Sequence, residues 1–312
     1  MKKKTLIKLL FVIIIACINN ITFANEKLLI TVNQFVKHSA LDASYDGFYK
    51  ALSDRKILPD RAEIIVANAQ GSMSNTIQIA KHQASLIPDF MVGISTPSAQ
   101  SILKAIDQDN STLAFVAVTD PKAANLIRDG IIGVSDAPPI KELLEIIRTI
   151  LPSKKVIGVI YNSGEINSVK MIEILELEAP KLGFEIKKIA INNSSDIKMA
   201  MNRITDISDI IYLPQDNTII SAVDSIVSIS KTARKPLIAN DPILVEKGVL
   251  LAFGANYFKS GEKLGNLIAD SIEGKNIPKK ISSSDSRELK INKSVARDLG
   301  IIIPDNLNKE ME

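Results

Sequence analysis

The sequence predicts an α/β fold of two doubly wound parallel-sheet lobes, and three observations lead there. Apolar runs of strand length alternate with segments of helical period. The alternation runs through once and restarts near residue 140 with no long linker between. The strand-length runs are apolar at consecutive positions, as in Val156-Ile157-Gly158-Val159-Ile160. Strands buried on both faces of a parallel sheet need that pattern.

The first series opens with an expected strand at Leu28–Phe35 and a helix at Leu41–Ser53. Strand Glu63–Asn68, helix Met73–Ile87, strand Phe90–Ser95, helix Pro97–Ile106 and strand Leu113–Thr119 follow, with a short strand at Ile131–Ser135. Helix Ile140–Leu151 carries apolar residues at 140, 143, 144, 147, 150 and 151, a stripe that faces a core. The second series then reads strand Val156–Tyr161, helix Asn167–Leu182, strand Glu185–Ile191, helix Asp196–Ile204 and strand Ile210–Pro214. Helix Thr218–Thr232, strand Pro236–Ala239, strand Val249–Gly254, helix Lys259–Glu273 and strand Glu288–Ile291 complete it.

Residues 1–24 read as an export signal. Lys2, Lys3, Lys4 and Lys8 precede an apolar run from Leu6 to Ile18, which suits a signal core and is short for a membrane span. Thr22-Phe23-Ala24 offers a cleavage site before Asn25, and the protein is expected in the periplasm. Ile14-Ile15-Ala16-Cys17 is a competing lipobox that would anchor the chain as a lipoprotein at Cys17, the single cysteine. The whole chain has 38 basic and 35 acidic residues. Without the four signal lysines it has 34 against 35, so its basicity belongs to the signal and gives no argument for nucleic acid. About 288 residues remain, enough for two lobes of ordinary size.

Ligands in open α/β sheets bind beyond the carboxyl ends of the strands. Those ends carry short polar side chains: His38 and Ala40; Thr96 and Ser98; Thr119 and Asp120; Asn162, Glu165, Asn167 and Ser168; Asp216 and Asn217; and Asp241. Each is also a natural helix cap, and for any one of them capping is the commoner role. The binding reading rests on six such loops converging on one cleft. Helix N-termini suit a carboxylate, and Asp or Glu at the same rim suits an ammonium group. Together they describe a site for a zwitterion, with Asp216 the first choice for the ammonium. No G-x-S-x-G elbow, G-x-G-x-x-G turn or Walker loop is present, and two distant histidines, His38 and His82, offer no metal spacing. The chain is therefore read as a binding protein without catalytic residues, metal or cofactor.

Several stretches together resemble the tryptophan/tyrosine-binding type of ABC-transporter substrate-binding protein. They are His38-Ser39-Ala40-Leu41-Asp42, Asn68-Ala69-Gln70-Gly71-Ser72-Met73, Thr96-Pro97-Ser98-Ala99-Gln100, Ala117-Val118-Thr119-Asp120-Pro121, Gly133-Val134-Ser135-Asp136, Tyr161-Asn162-Ser163-Gly164-Glu165-Ile166-Asn167-Ser168, Pro214-Gln215-Asp216-Asn217-Thr218 and Glu288-Leu289-Lys290-Ile291-Asn292. Ser39 and Gln215 depart from that pattern, which has proline and threonine there. The resemblance implies a type I periplasmic-binding fold with a three-strand hinge. It implies an amino-acid ligand, most naturally aromatic, and an ABC permease with its ATPase as partners of a monomer. It also implies a chain path: a first lobe at 27–139 plus 249–284, a second at 140–248 plus 285–312, and hinge segments at 137–140, 247–249 and 284–286. Two other readings stay open on sequence. One is a sugar receptor, disfavoured by the absence of tryptophan and of arginine at the strand ends. The other is a soluble sensor that docks on a membrane receptor.

Overall fold

The structure, a computed structural model, describes residues 27–106, 110–277 and 280–310. The expected export signal at 1–24, with Cys17, lies outside the described residues.

Two α/β lobes stand side by side, each built on a six-stranded sheet. The first sheet uses β1 (Leu28–Gln34), β2 (Ala62–Asn68), β3 (Phe90–Ile94), β4 (Thr112–Val118) and β5 (Ile132–Ser135), with β11 (Ile281–Ser283) returning at its edge. Its order is β11-β5-β4-β3-β1-β2, and every pairing is parallel. The second uses β6 (Val156–Asn162), β7 (Glu185–Ile191), β8 (Ile210–Leu213), β9 (Leu237–Ala239) and β10 (Leu251–Ala255), closed by β12 (Arg287–Ile291). Its order is β12-β10-β9-β8-β6-β7, parallel except where β12 runs antiparallel to β10.

Side chains of a strand alternate between faces, so each sheet separates two cores. In the first lobe Val92, Ala114 and Val116 join α1 (Ser39–Asp54) and α9 (Tyr257–Ile272) on one face. Met91, Leu113 and Phe115 join α2 (Met73–Ser85) and α3 (Thr96–Ala105) on the other. In the second lobe α4 (Ile140–Ile150) and α5 (Ile166–Glu178) cover one face. Helices α6 (Ile197–Ile207), α7 (Asn217–Ser221) and α8 (Val223–Thr232) cover the other. The stripe expected on α4 is the stripe buried: Ile140, Leu143, Leu144, Ile147 and Ile150.

Two differences from the sequence reading bear on the site. The helix expected at Thr218–Thr232 is two helices, because the chain bends at Ala222 (φ −110°, ψ 17°). The crossover expected at 247–249 lies instead at Asn256. Leu251 and Ala252 pair with Ile238 and Ala239, which fixes β10 in the second sheet. Only after Asn256 does the chain return to the first lobe, as α9. A side chain on Gly47 would meet the Phe258 carbonyl at 2.0 Å, and one on Gly261 the Ser44 carbonyl at 2.0 Å. Glycine at those positions lets α9 lie directly on α1.

The three connections between lobes hold one another. Ser284 N donates to the Ser135 carbonyl at 2.7 Å, and Asn256 N to the Ser286 carbonyl at 3.0 Å. A final helix, α10 (Lys293–Leu299), packs under the second lobe through Ala296.

Candidate functional site

The carboxyl ends of both sheets face one cleft. Loops after β1, β3, β4 and β5 supply one wall; loops after β6, β8 and β9 supply the other; the start of α9 closes the hinge side. The walls stand close, leaving about 30 Å³ between them that a water-sized sphere can reach. Ala40, Leu41, Ala117, Leu213, Pro214 and Ile220 form the apolar part of the lining, and among the described residues no lysine or arginine lines it.

Backbone strain marks two points of this wall. Ser95, just before Thr96, has φ 105°, and Ala117 has φ 56° where β4 bulges against β5. Neither conformation suits a residue with a Cβ, and such strain gathers at binding sites.

Among the described residues, nine buried side-chain polar atoms make no hydrogen bond, and five belong to residues lining this cleft. They are His38 Nδ1, Thr96 Oγ1, Asp136 Oδ1, Asn167 Oδ1 and Asp241 Oδ2. A buried polar atom without a partner is costly, and native proteins rarely keep one without a use for it. Three of the five are acceptor oxygens. Burial pushes the Asp136 carboxyl up to about 6, opposed by the hydrogen bond from Tyr257. Burial pushes Asp241 up to about 7, with the nearby Asp136 charge adding to it. A cation between them would relieve both. On the first lobe's side, α1 starts at Ser39 with no side-chain cap from His38, and Ala40 and Leu41 of its first turn line the cleft. Uncapped amides and the helix dipole suit an anion.

Hydrogen bonds also cross the cleft. His38 Nε2 lies 3.3 Å from Asn217 Oδ1. Burial holds the His38 imidazole below its usual pKa, which favours the neutral ring. Thr119 Oγ1 donates to Gln215 Oε1 at 3.4 Å. Gln215 Nε2 donates to Tyr257 Oη at 2.8 Å and to Asp136 Oδ2 at 3.1 Å.

The structure divides the sequence-predicted residues into two groups. His38, Ala40, Thr96, Thr119, Asn167, Asp216, Asn217 and Asp241 line the cleft. Ser98, Asp120, Asn162, Glu165 and Ser168 do not. Ser98 donates to Asn33 inside the first lobe at 3.2 Å, and Asp120 accepts from Ala123 N in its own turn. Glu165 sits at the N-terminus of α7, taking Asn217 N and Thr218 N at 3.0 Å each, and also their side chains. Asp216, though at the cleft wall, is committed as the cap of α7. Its Oδ1 takes Ile219 N at 3.0 Å, and its Oδ2 takes Asn162 N and Ser168 Oγ at 2.6 Å each. Burial first, and the Glu165 charge second, push its pKa up. Asn162 and Ser168 are thus the supports of that carboxylate.

Asp136, Gln215, Asn240 and Tyr257 line the cleft without having been chosen from sequence. Asp136 and Asn240 follow the ends of β5 and β9, the signal used for the others. Tyr257 follows β10 and becomes legible only once β10 is given to the second sheet.

The family model of ABC transporter substrate binding proteins matches residues 29–312. The chain is 32% identical over 299 residues to the tyrosine-binding protein of Clostridioides difficile (strain R20291), covering 93% of this chain and 86% of the relative. It is similar to the crystal structure of an ABC domain in complex with L-Trp from Streptococcus pneumonia. The identity is 31%, the TM-score 0.86, and the match covers 91% of this chain and 98% of that one. The ligand-free, open structure of a substrate-binding protein with adhesive properties from Clostridium difficile matches at the same 31% identity. It covers 91% and 99% of the two chains, with a TM-score of 0.68. At equal identity, the lobes here stand nearer the arrangement of the L-Trp complex than that of the open protein. The architecture is that of the type I periplasmic binding proteins.

Proposed function

This chain belongs to the ABC transporter substrate-binding protein family, and from that premise we propose that it captures a free aromatic α-amino acid between its lobes. The ligand is tyrosine- or tryptophan-like, and the bound protein delivers it, outside the cytoplasm, to an ABC permease and its ATPase. The observation that carries the reading is the set of unpartnered buried atoms in the cleft. Asp136 Oδ1, Asp241 Oδ2 and Asn167 Oδ1 are acceptors for an ammonium group. The Thr96 hydroxyl and the open first turn of α1 are donors for a carboxylate. Leu41, Leu213 and Ile220 supply apolar surface for the side chain.

The mechanism is capture by closure. The first lobe takes the carboxylate, while the second lobe and hinge take the ammonium. Only the closed arrangement makes both sets of bonds, so the ligand draws the equilibrium toward it. A sugar receptor fits less well, because no tryptophan exists in the chain and, among the described residues, no arginine lines the cleft. Location outside the cytoplasm rests on the export signal read at 1–24. Intact mass of the exported protein tests it, with a start at Asn25 expected and a lipid on Cys17 pointing to an anchored form.

Native mass spectrometry of freshly purified protein tests the ligand. A bound mass equal to tyrosine or tryptophan is expected. Calorimetric titration with L-tyrosine, L-tryptophan, and their decarboxylated and deaminated analogues then tests the zwitterion. An analogue that binds as tightly as its parent amino acid would sink this reading of the polar sites.

A further inference from the structure

Gln215 leaves the end of β8 in the second lobe, and its amide ends across the cleft. Its Nε2 reaches Tyr257 Oη at 2.8 Å, Asp136 Oδ2 at 3.1 Å and the Asp136 carbonyl at 3.2 Å. Its Oε1 accepts from Thr119 at 3.4 Å. The backbone carbonyl of the same residue accepts from Asn167 Nδ2 at 2.7 Å. One side chain thus joins the second lobe to the end of β4, the first connection between lobes and the start of α9. Tyr257 donates in turn to Asp136 Oδ2 at 2.9 Å. With Oδ2 held by two donors, the carboxylate is fixed in one rotation and Oδ1 is left without a protein partner.

We propose that Gln215 is the positioning residue that couples recognition to closure: it latches the second lobe onto Asp136 and Tyr257, and by the same bonds fixes Asp136 to meet the ligand. The proposal rests on the amino-acid reading for its ligand but not for its geometry. Opening the cleft breaks the bonds from Gln215 and frees the Asp136 carboxylate to turn. The latch forms after first encounter, so it governs how long the ligand stays rather than how fast it enters.

The test uses Gln215→Met, which keeps the length of the side chain and removes its amide. The chain has no tryptophan, so stopped-flow fluorescence of L-tryptophan itself reports entry and exit. The dissociation rate should rise about 10–100-fold, for the loss of two or three hydrogen bonds, one of them to a carboxylate. The association rate should stay within about threefold of the original. Tyr257→Phe should raise dissociation in the same way, and the double variant should lose less than the product of the two effects. An unchanged dissociation rate, a loss confined to association, or multiplicative effects would each overturn the latch. If the unaltered protein binds neither L-tryptophan nor L-tyrosine, the ligand reading fails instead. The dissociation comparison is then made with the ligand that native mass spectrometry finds co-purified: a rate raised about 10–100-fold in Gln215→Met supports the latch, and an unchanged rate refutes it.

Discussion

His38 Nε2 and Asn217 Oδ1 meet 3.3 Å apart across the cleft, joining the loop before α1 to the first residue of α7. Asn217 is itself held from behind, since its Nδ2 donates to Glu165 Oε2 at 2.6 Å. The second lobe thus presents a fixed acceptor to a histidine of the first. His38→Ala removes one neutral hydrogen bond and a piece of the cleft wall. Affinity for the amino acid should fall about 3–15-fold, measured by calorimetric titration, with the melting temperature nearly unchanged.

The two kinds of buried aspartate should separate cleanly. Asp136→Asn and Asp241→Asn each remove a negative charge facing the ammonium. Each should weaken binding roughly 30–150-fold, or about 2–3 kcal/mol, with folding intact. Asp216→Ala leaves Asn162 N, Ile219 N and Ser168 Oγ without their acceptor. It should cost about 2–3 kcal/mol of stability in denaturant titrations. A large loss of affinity in a fully stable Asp216→Asn variant would return Asp216 to the ammonium site.

Acid should loosen binding while it steadies the ligand-free fold. Asp136 and Asp241 titrate at about 6 and about 7 in the folded chain, against an ordinary 3.8. Between those values the native state holds protons that the unfolded chain has released, so ligand-free stability falls as pH rises through that window. An ammonium favours the charged carboxylates, so affinity moves the opposite way. It should be roughly 10-fold weaker at pH 5 than at pH 8. Melting curves of the free protein and titrations across that range check the two slopes.

Closure should be visible in solution. Small-angle scattering should show a smaller radius of gyration at saturation than without ligand, because both walls bind one molecule. An unchanged radius at confirmed saturation would contradict capture by closure.

The alternation of apolar runs and helical stripes was legible because each depends on near neighbours in sequence. Strand β7 ends where expected, and the buried stripe of α4 was readable residue by residue. Membership of β10 was not, since a run such as Leu251-Ala252-Phe253 pairs equally well with either sheet. Its place is decided by pairing with Ile238 and Ala239 of the preceding strand, a contact that the apolar run itself does not encode. The loops of the site were legible as strand ends, but the jobs within them were not. Glu165 and Asp241 are alike as types and as neighbours of a helix start. Glu165 spends both oxygens on the backbone of α7, whereas Asp241 gives only Oδ1 to Ile243 N. Which oxygen remains for a ligand follows from the approach of elements that sequence spacing leaves undetermined.

The packing of α9 on α1 sets a schedule for assembly. Arg55 and Asp270, which pair at 2.9 Å where these helices meet, are 215 residues apart. A chain emerging from the ribosome therefore presents the Phe48 face of α1 long before its cover exists. The first lobe, begun first, is completed only after most of the second lobe has been made, with just β12 and α10 still to follow. Contacts between such distant segments form slowly. A chain whose leading half stays unfinished until its trailing quarter arrives keeps its N-terminal lobe open for most of its own synthesis.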